Sequence, residues 1–90
     1  MAKVDIEAFR DQETTRIYIA GRLSEAKQVE NTLTQNGIDY AVEIEPYVRL
    51  ILGIVPRKYS GAGFYVLSER AAVAKRVLLA AGFEEGIEVD

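Results

Sequence analysis

The chain has 90 residues, 49% of them apolar and 28% charged, with a net charge of −3 at neutral pH and neither cysteine nor histidine. That length supports one domain with a modest core, burying roughly 60 to 65% of the surface its unfolded chain exposes. A disulfide framework, thiolate chemistry and histidine-based metal or general-base sites are excluded.

Along the chain, residues 1–14 read as a leader without a secure period, in which Val4, Ile6 and Phe9 are mixed with charged neighbours. This start lacks the apolar core of a signal peptide, and no apolar stretch approaches the ~20 residues that span a bilayer, so a cytoplasmic location is expected. From Thr15 the residues favour a strand: Arg16 to Ala20 alternates poorly but is rich in strand formers, and Gly21 ends it. Ser24 is the expected cap of a first helix, with Glu25 in the first turn where the helix dipole favours an acid. Ala26, Val29 and Leu33 form its buried stripe, and Asn36-Gly37 supplies the left-handed stop. Tyr40, Val42 and Ile44 then alternate with Ala41, Glu43 and Glu45, predicting a strand whose first set faces the core.

The same pattern returns. Phe64 to Leu67 reads as a short strand, Ser68 as a cap, and Val73, Ala74, Val77, Leu78 and Ala81 as a buried stripe; Gly82 stops the helix, and Ile87 and Val89 make a last strand. Strand, helix, strand twice over predicts an α+β, ferredoxin-like βαββαβ sandwich across 15–90. Its sheet would hold four antiparallel strands in the order 4-1-3-2, with two helices on one face.

Between the copies lies a long β2-β3 loop at 46–63 with no counterpart in the other half. Its first part, Tyr47 to Val55, is the most apolar run of the chain and is bracketed by Pro46 and Pro56; Arg57-Lys58-Tyr59-Ser60-Gly61-Ala62-Gly63 follows. Connections of this length are uncommon in compact domains and are often functional. An apolar run has to fold against the body, extend a hairpin or bury against another subunit. Between Pro46 and Arg76 there are six cations against Glu69 alone, so this stretch carries +5 and the rest of the chain −8. A basic middle on an acidic protein points to an anionic ligand or an acidic partner surface. Arg49, Arg57, Lys58, Tyr59, Gly61 and Gly63 are the candidate contact residues, Arg49 because a lone cation in an apolar run is costly to bury. Gly61-Ala62-Gly63 lacks the spacing of a phosphate-cradling loop and reads as a tight turn into the third strand.

The order of elements, the Ser-Glu-Ala opening of the first helix, Asn36-Gly37-Ile38-Asp39-Tyr40 and Gly63-Phe64-Tyr65-Val66 resemble a small bacterial family of signal-transducing proteins of uncharacterised function. That family is grouped by fold with the PII (GlnB-like) nitrogen regulators. The resemblance covers Arg16 to about Ile87, and implies a regulatory oligomer whose loop between strands two and three, by position Tyr47 to Gly63, meets partners. No residue matches the PII nucleotide-binding segments. A second resemblance, of Ile17-Tyr18-Ile19-Ala20-Gly21-Arg22-Leu23 and Gly61-Ala62-Gly63-Phe64 to the motifs of RNA recognition domains, implies base stacking on Tyr18 and Phe64. Ser60 and Ala62 depart from that pattern, and the acidic chain suits a phosphate backbone poorly, so nucleic acid is not the expected partner. A third, of Gly21-Arg22-Leu23 and Asn36-Gly37-Ile38 to ACT-type domains, implies amino-acid sensing at a subunit interface.

Catalysis has the least support. Glu43 with Glu45, and Glu88 with Asp90, are carboxylates two apart on strands, a spacing that also describes the wet side of a half-buried sheet. Too few convergent oxygens are located for a metal site, and no cofactor is expected. The sequence thus predicts a non-enzymatic regulatory or interaction module that self-associates and meets a partner or small anion through 46–63.

Overall fold

A computed structural model describes residues 3–51, 53 and 55–87, with the backbone alone at 47–51 and 55–59. It is an α+β chain with a three-stranded antiparallel sheet and two helices. The strands are β1 (Thr14–Ala20), β2 (Ala41–Ile51) and β3 (Val55–Leu67), in the order β1-β3-β2. The helices are α1 (Leu23–Gln35) and α2 (Ala71–Ala80). Of the predicted fourth strand, Ile87 bridges antiparallel to Tyr18, and Ile19 N–H donates to the Gly86 carbonyl at 2.9 Å. Val89 lies outside the described residues, as do Glu88 and Asp90.

The core forms where one face of the sheet meets both helices. Ile17, Tyr18 and Ala20 of β1 and Ala62, Phe64 and Val66 of β3 close against Ala26, Val29 and Leu33 of α1 and Ala74 and Leu78 of α2. The poor alternation of Arg16 to Ala20 has a structural cause. The register slips by one between Arg16, opposite Tyr65, and Tyr18, opposite Phe64. Such a bulge sets two residues against one, and so Ile17 and Tyr18 are both buried.

Helix stops follow the sequence, since Gly37 and Gly82 adopt φ of +68° and +94°. Helix starts do not. Helix α1 begins at Leu23 with Arg22 as its N-cap and no side-chain cap bond, while Ser68 opens a 3-10 turn, Ser68–Arg70, ahead of α2. Ser68 Oγ instead lies 2.6 Å from Thr15 Oγ1, joining that turn to β1. Glu25, in the first turn, accepts from Gly21 N–H at 3.3 Å, which ties the residue before the N-cap to the helix without capping the helix's own first N–H groups.

Residues 3–13 are folded onto the sheet. Val4 N–H donates to the Tyr40 carbonyl at 2.8 Å, Ile6–Phe9 forms a 3-10 turn capped by Asp5, and Phe9 is buried. This turn packs against β2. It accounts for Ala41, expected on the wet side, having no exposed surface.

Residues 46–51 and 55–63 are paired backbone and not a loop, which is the hairpin extension among the outcomes open to the apolar run. Register runs without a break from Ala41 opposite Tyr65 to Ile51 opposite Val55, and Gly53, at φ +76°, sits between the strand ends. Gly61 and Gly63, expected in a tight turn, are mid-strand in β3. The physical reason is composition: Tyr47 to Ile51 is rich in strand formers, and a hairpin satisfies its backbone where a loop would not.

A close approach fixes the C-terminal segment against β1. A Cβ on Gly86 would meet the Ile19 carbonyl oxygen at 2.3 Å and the Tyr18 ring at 2.5 Å. Gly86→Ala is therefore expected to lower unfolding stability by about 1 to 3 kcal/mol, as overpacking does. Denaturant titration checks this, with unchanged stability as the contrary result.

Candidate functional site

The hairpin outgrows its cover. At ~3.3 Å per residue β3 spans roughly 40 Å, comparable to the 38 Å longest dimension of the molecule. The helix layer ends at a definite position on β2. Val42 is packed partly against the core, whereas Ile44, two residues on and on the same face, is 76% exposed, contrary to its expected inward role. From there the two strands continue as an arm.

Residue positions along the arm divide by the period of two. On the face that continues from Ile44 and Ala62, the register pairs Pro46 with Ser60, Val48 with Lys58 and Leu50 with Pro56. On the other face it pairs Glu45 with Gly61, Tyr47 with Tyr59, Arg49 with Arg57 and Ile51 with Val55. The apolar run is thus two interleaved sets, and Arg49 is assigned to the face away from Val48 and Leu50. Of the six candidate residues, Arg49, Arg57, Tyr59, Gly61 and Gly63 share one face; Lys58 belongs to the other.

At the base of the arm this second face carries a hydrogen-bonded cluster the sequence did not reveal. Arg16 Nη1 donates to Glu45 Oε1 at 2.6 Å, and Tyr65 O–H donates to Glu45 Oε2 at 2.8 Å. The cluster crosses all three strands and lies over Gly63, where an added Cβ would stand 2.2 Å from Glu45 Oε1. Gly63 is there to leave room for this ion pair. Burial, followed by the hydrogen bond to Glu45 and its negative charge, raises the Tyr65 phenol above its ordinary value. Arg16, Glu45 and Tyr65 come from separate strands, and only the register shows them to be neighbours.

On the first face, Ala20, Gly21, Arg22, Leu23 and Ala26 meet Ile44, Ser60, Gly61 and Ala62 around a cleft of about 200 Å³. Leu23 and Ile44 on its lining are 73% and 76% exposed, and Arg22 and Ser60 are exposed beside them. The Gly21-Arg22-Leu23 segment singled out by sequence lies here.

The rings proposed to stack bases lie inside the protein. Tyr18 and Phe64 are 1% and 0% exposed, edge to face at 6.5 Å, and Phe83 meets Tyr18 from another side at 6.0 Å. Tyr18 O–H donates to Glu25 Oε2 at 2.5 Å, and burial together with that carboxylate raises the phenol. Tyr40 is likewise raised by burial, and its hydroxyl donates to Glu30 at 3.0 Å. Glu45, one of the carboxylates weighed for acid-base work, is committed to Arg16 and Tyr65. Among the described residues no group of three acidic side chains could hold a metal ion, and no helix is long and apolar enough to cross a membrane.

Three tyrosines whose phenols are raised on folding give a pH dependence of known sign. Above about pH 10.0, their ordinary value, the unfolded chain loses these protons first. Stability held below that pH therefore falls as pH rises through the range up to the folded values. Denaturant titration between pH 9 and 12 is expected to show this fall, shallower in Tyr18→Phe; identical slopes in both proteins would contradict it. Against family models, curated proteins and solved structures, the chain shows no match.

Proposed function

We propose that the protein is a non-enzymatic regulatory or interaction module of the cytoplasm, which self-associates and uses the outer part of its β2-β3 hairpin to meet a partner or a small anion. The observation carrying this reading is the register that sets Arg49 opposite Arg57 and Tyr47 opposite Tyr59 on one face of the arm. Two cations directly opposite on neighbouring strands destabilise a hairpin by about 0.2 to 1 kcal/mol. An anion that bridges them turns that cost into attraction. Arginine is suited to this because its planar fork binds carboxylate or phosphate oxygens in pairs, and adjacent tyrosines offer ring faces and hydroxyls.

Glu45, an acid on the same face, is no competitor for this role, since both its oxygens already accept bonds from Arg16 and Tyr65. Lys58 adds charge without sharing the face, and Gly61 continues the strip toward the base of the arm. The ferredoxin-like form of the sheet belongs to the same reading. The Ile87 bridge to Tyr18 is where a fourth strand beside β1 would begin, giving the order 4-1-3-2. Likeness to the PII-like group supports a regulatory role, with the contact carried by the paired arm.

The test uses inorganic tripolyphosphate as the probe. Adding it to the full chain is expected to raise the melting temperature and to shift arginine side-chain resonances, and both effects should disappear in the Arg49→Ala, Arg57→Ala double variant. That variant should be as stable as the parent or more so by up to ~1 kcal/mol, because a repulsion is removed. A parent protein indifferent to the probe and to an acidic peptide overturns the assignment of this face.

A further inference from the structure

We infer that the open cleft between α1 and the base of the hairpin is a binding site for a small aliphatic carboxylate, whose branched tail covers the apolar floor and whose charge meets Arg22. The inference is independent of the contact proposed for the outer arm, which lies further along the hairpin and uses other residues. Ala20 of β1, Ala26 of α1 and Ala62 of β3 are buried and line the cleft with nothing larger than a methyl group. Three alanines on three elements leave a space that helix and strands do not fill themselves. Leu23 of α1 and Ile44 of β2 stand largely exposed beside it, so a compact apolar group placed there covers both at once.

Charge decides the rest of the occupant. Among the described residues that line the cleft, Arg22 alone is charged. Its side chain makes no hydrogen bond or ion pair with another described residue. The acids nearby are engaged or turned away: Glu25 accepts from Tyr18 and Gly21, Glu45 accepts from Arg16 and Tyr65, and Glu43 and Glu45 alternate with Ile44 onto the other face of β2. An occupant with one negative charge is matched, and a guanidinium can hold a carboxylate through two parallel bonds. An amino acid is matched poorly, because its ammonium group stands near Arg22 with no carboxylate on the lining to accept from it. The site thereby differs from the amino-acid sensing that the ACT-type resemblance implies.

Size narrows the class further. The cleft, at about 200 Å³, is smaller than the ~300 Å³ at which pockets for drug-sized ligands begin. A branched acid of about seven non-hydrogen atoms, such as isovalerate, is of the right scale, and in an open cleft it is expected to bind at roughly millimolar strength. Such an occupant touches the start of α1 and both strands at the root of the arm, where the helix cover stops.

Isovalerate is the probe, titrated into the full chain at neutral pH while backbone and methyl resonances are followed. Saturable shifts are expected at Gly21, Leu23, Ile44 and Ala62. Three comparison ligands separate the parts of the site: isovaleramide has the tail without the charge, acetate the charge without the tail, and leucine a branched tail with an ammonium group added. Each is expected to bind at least ~10-fold more weakly than isovalerate. Arg22→Gln is expected to weaken isovalerate by a similar ~10-fold or more. Because Arg22 is exposed, that variant should keep the parent's circular dichroism and denaturant midpoint. The Arg49→Ala, Arg57→Ala double variant should bind isovalerate as the parent does, so the cleft and the arm are tested separately. No saturable shift, a comparison ligand bound as well as isovalerate, or undiminished binding by Arg22→Gln overturns the assignment.

Discussion

The strands of the central hairpin run further than the helices that cover them. Everything distinctive about this protein depends on that mismatch, because a β-strand keeps alternating its side-chain positions whether or not a second layer lies above it. Up to Val42 the inward set is sheltered by α1 and α2. From Ile44 on, the same set continues past the edge of the helix layer, and a surface that would be core becomes a surface available for contact. The opposite set, covered at Ala41 by the 3-10 turn, turns from Glu45 through tyrosine to arginine. One regular rule, applied beyond its usual cover, thus produces two faces of unlike chemistry.

Adjacent residues mark the boundary on both sides. Ile44 is where the helix cover ends, and Glu45, next to it, holds Arg16 of β1 and Tyr65 of β3 across the other face. Exposed ion pairs contribute little to stability by themselves. Here the pair is half-buried, has a tyrosine as third member, and occupies the space left by Gly63. Its effect is to tie the three strands together where the arm leaves the body, so that the direction of the arm is set by the body's own sheet. An arm anchored in this way presents its two faces with less loss of freedom on binding than a loop of equal length would.

How much of this could be read from residues alone depended on the range of the interactions. The stripe of α1, Ala74 and Leu78 of α2, the stops at Gly37 and Gly82 and the strand at Ile17 to Ile19 are local patterns, and they were legible. Val73 and Ala81, expected in the buried stripe of α2, are exposed. The poor alternation of β1 was visible too, but its cause is a bulge that exists only against a partner strand. Failures came where pairing decides. Tyr47 to Gly63 is apolar, basic and glycine-containing in succession, so it reads as a loop; register separates it into two alternating sets. Ser24 and Ser68 look like caps because serine often is one, yet the helix starts are set by Arg22 and by the 3-10 turn. For Tyr18 the resemblance to RNA recognition domains implied a stacking ring, against the commoner core role of a tyrosine on such a sheet, and the core role is the one observed. Arg16, Glu45 and Tyr65 could not have been grouped from sequence, since each is an ordinary residue at an ordinary strand position.

Because the two faces of the arm belong to opposite sets of positions, occupying one does not consume the other. The cluster of Arg16, Glu45 and Tyr65 stands at the base of the face that holds positions 47, 49, 57 and 59, and it ties that face to all three strands. A ligand drawn to the arginine positions would meet a strip whose inner end is already fixed, so it would cost less freedom on binding than a loop of the same length. The positions that continue from Ile44 would stay unused by that contact, because only a shift of register by one residue exchanges the two sets.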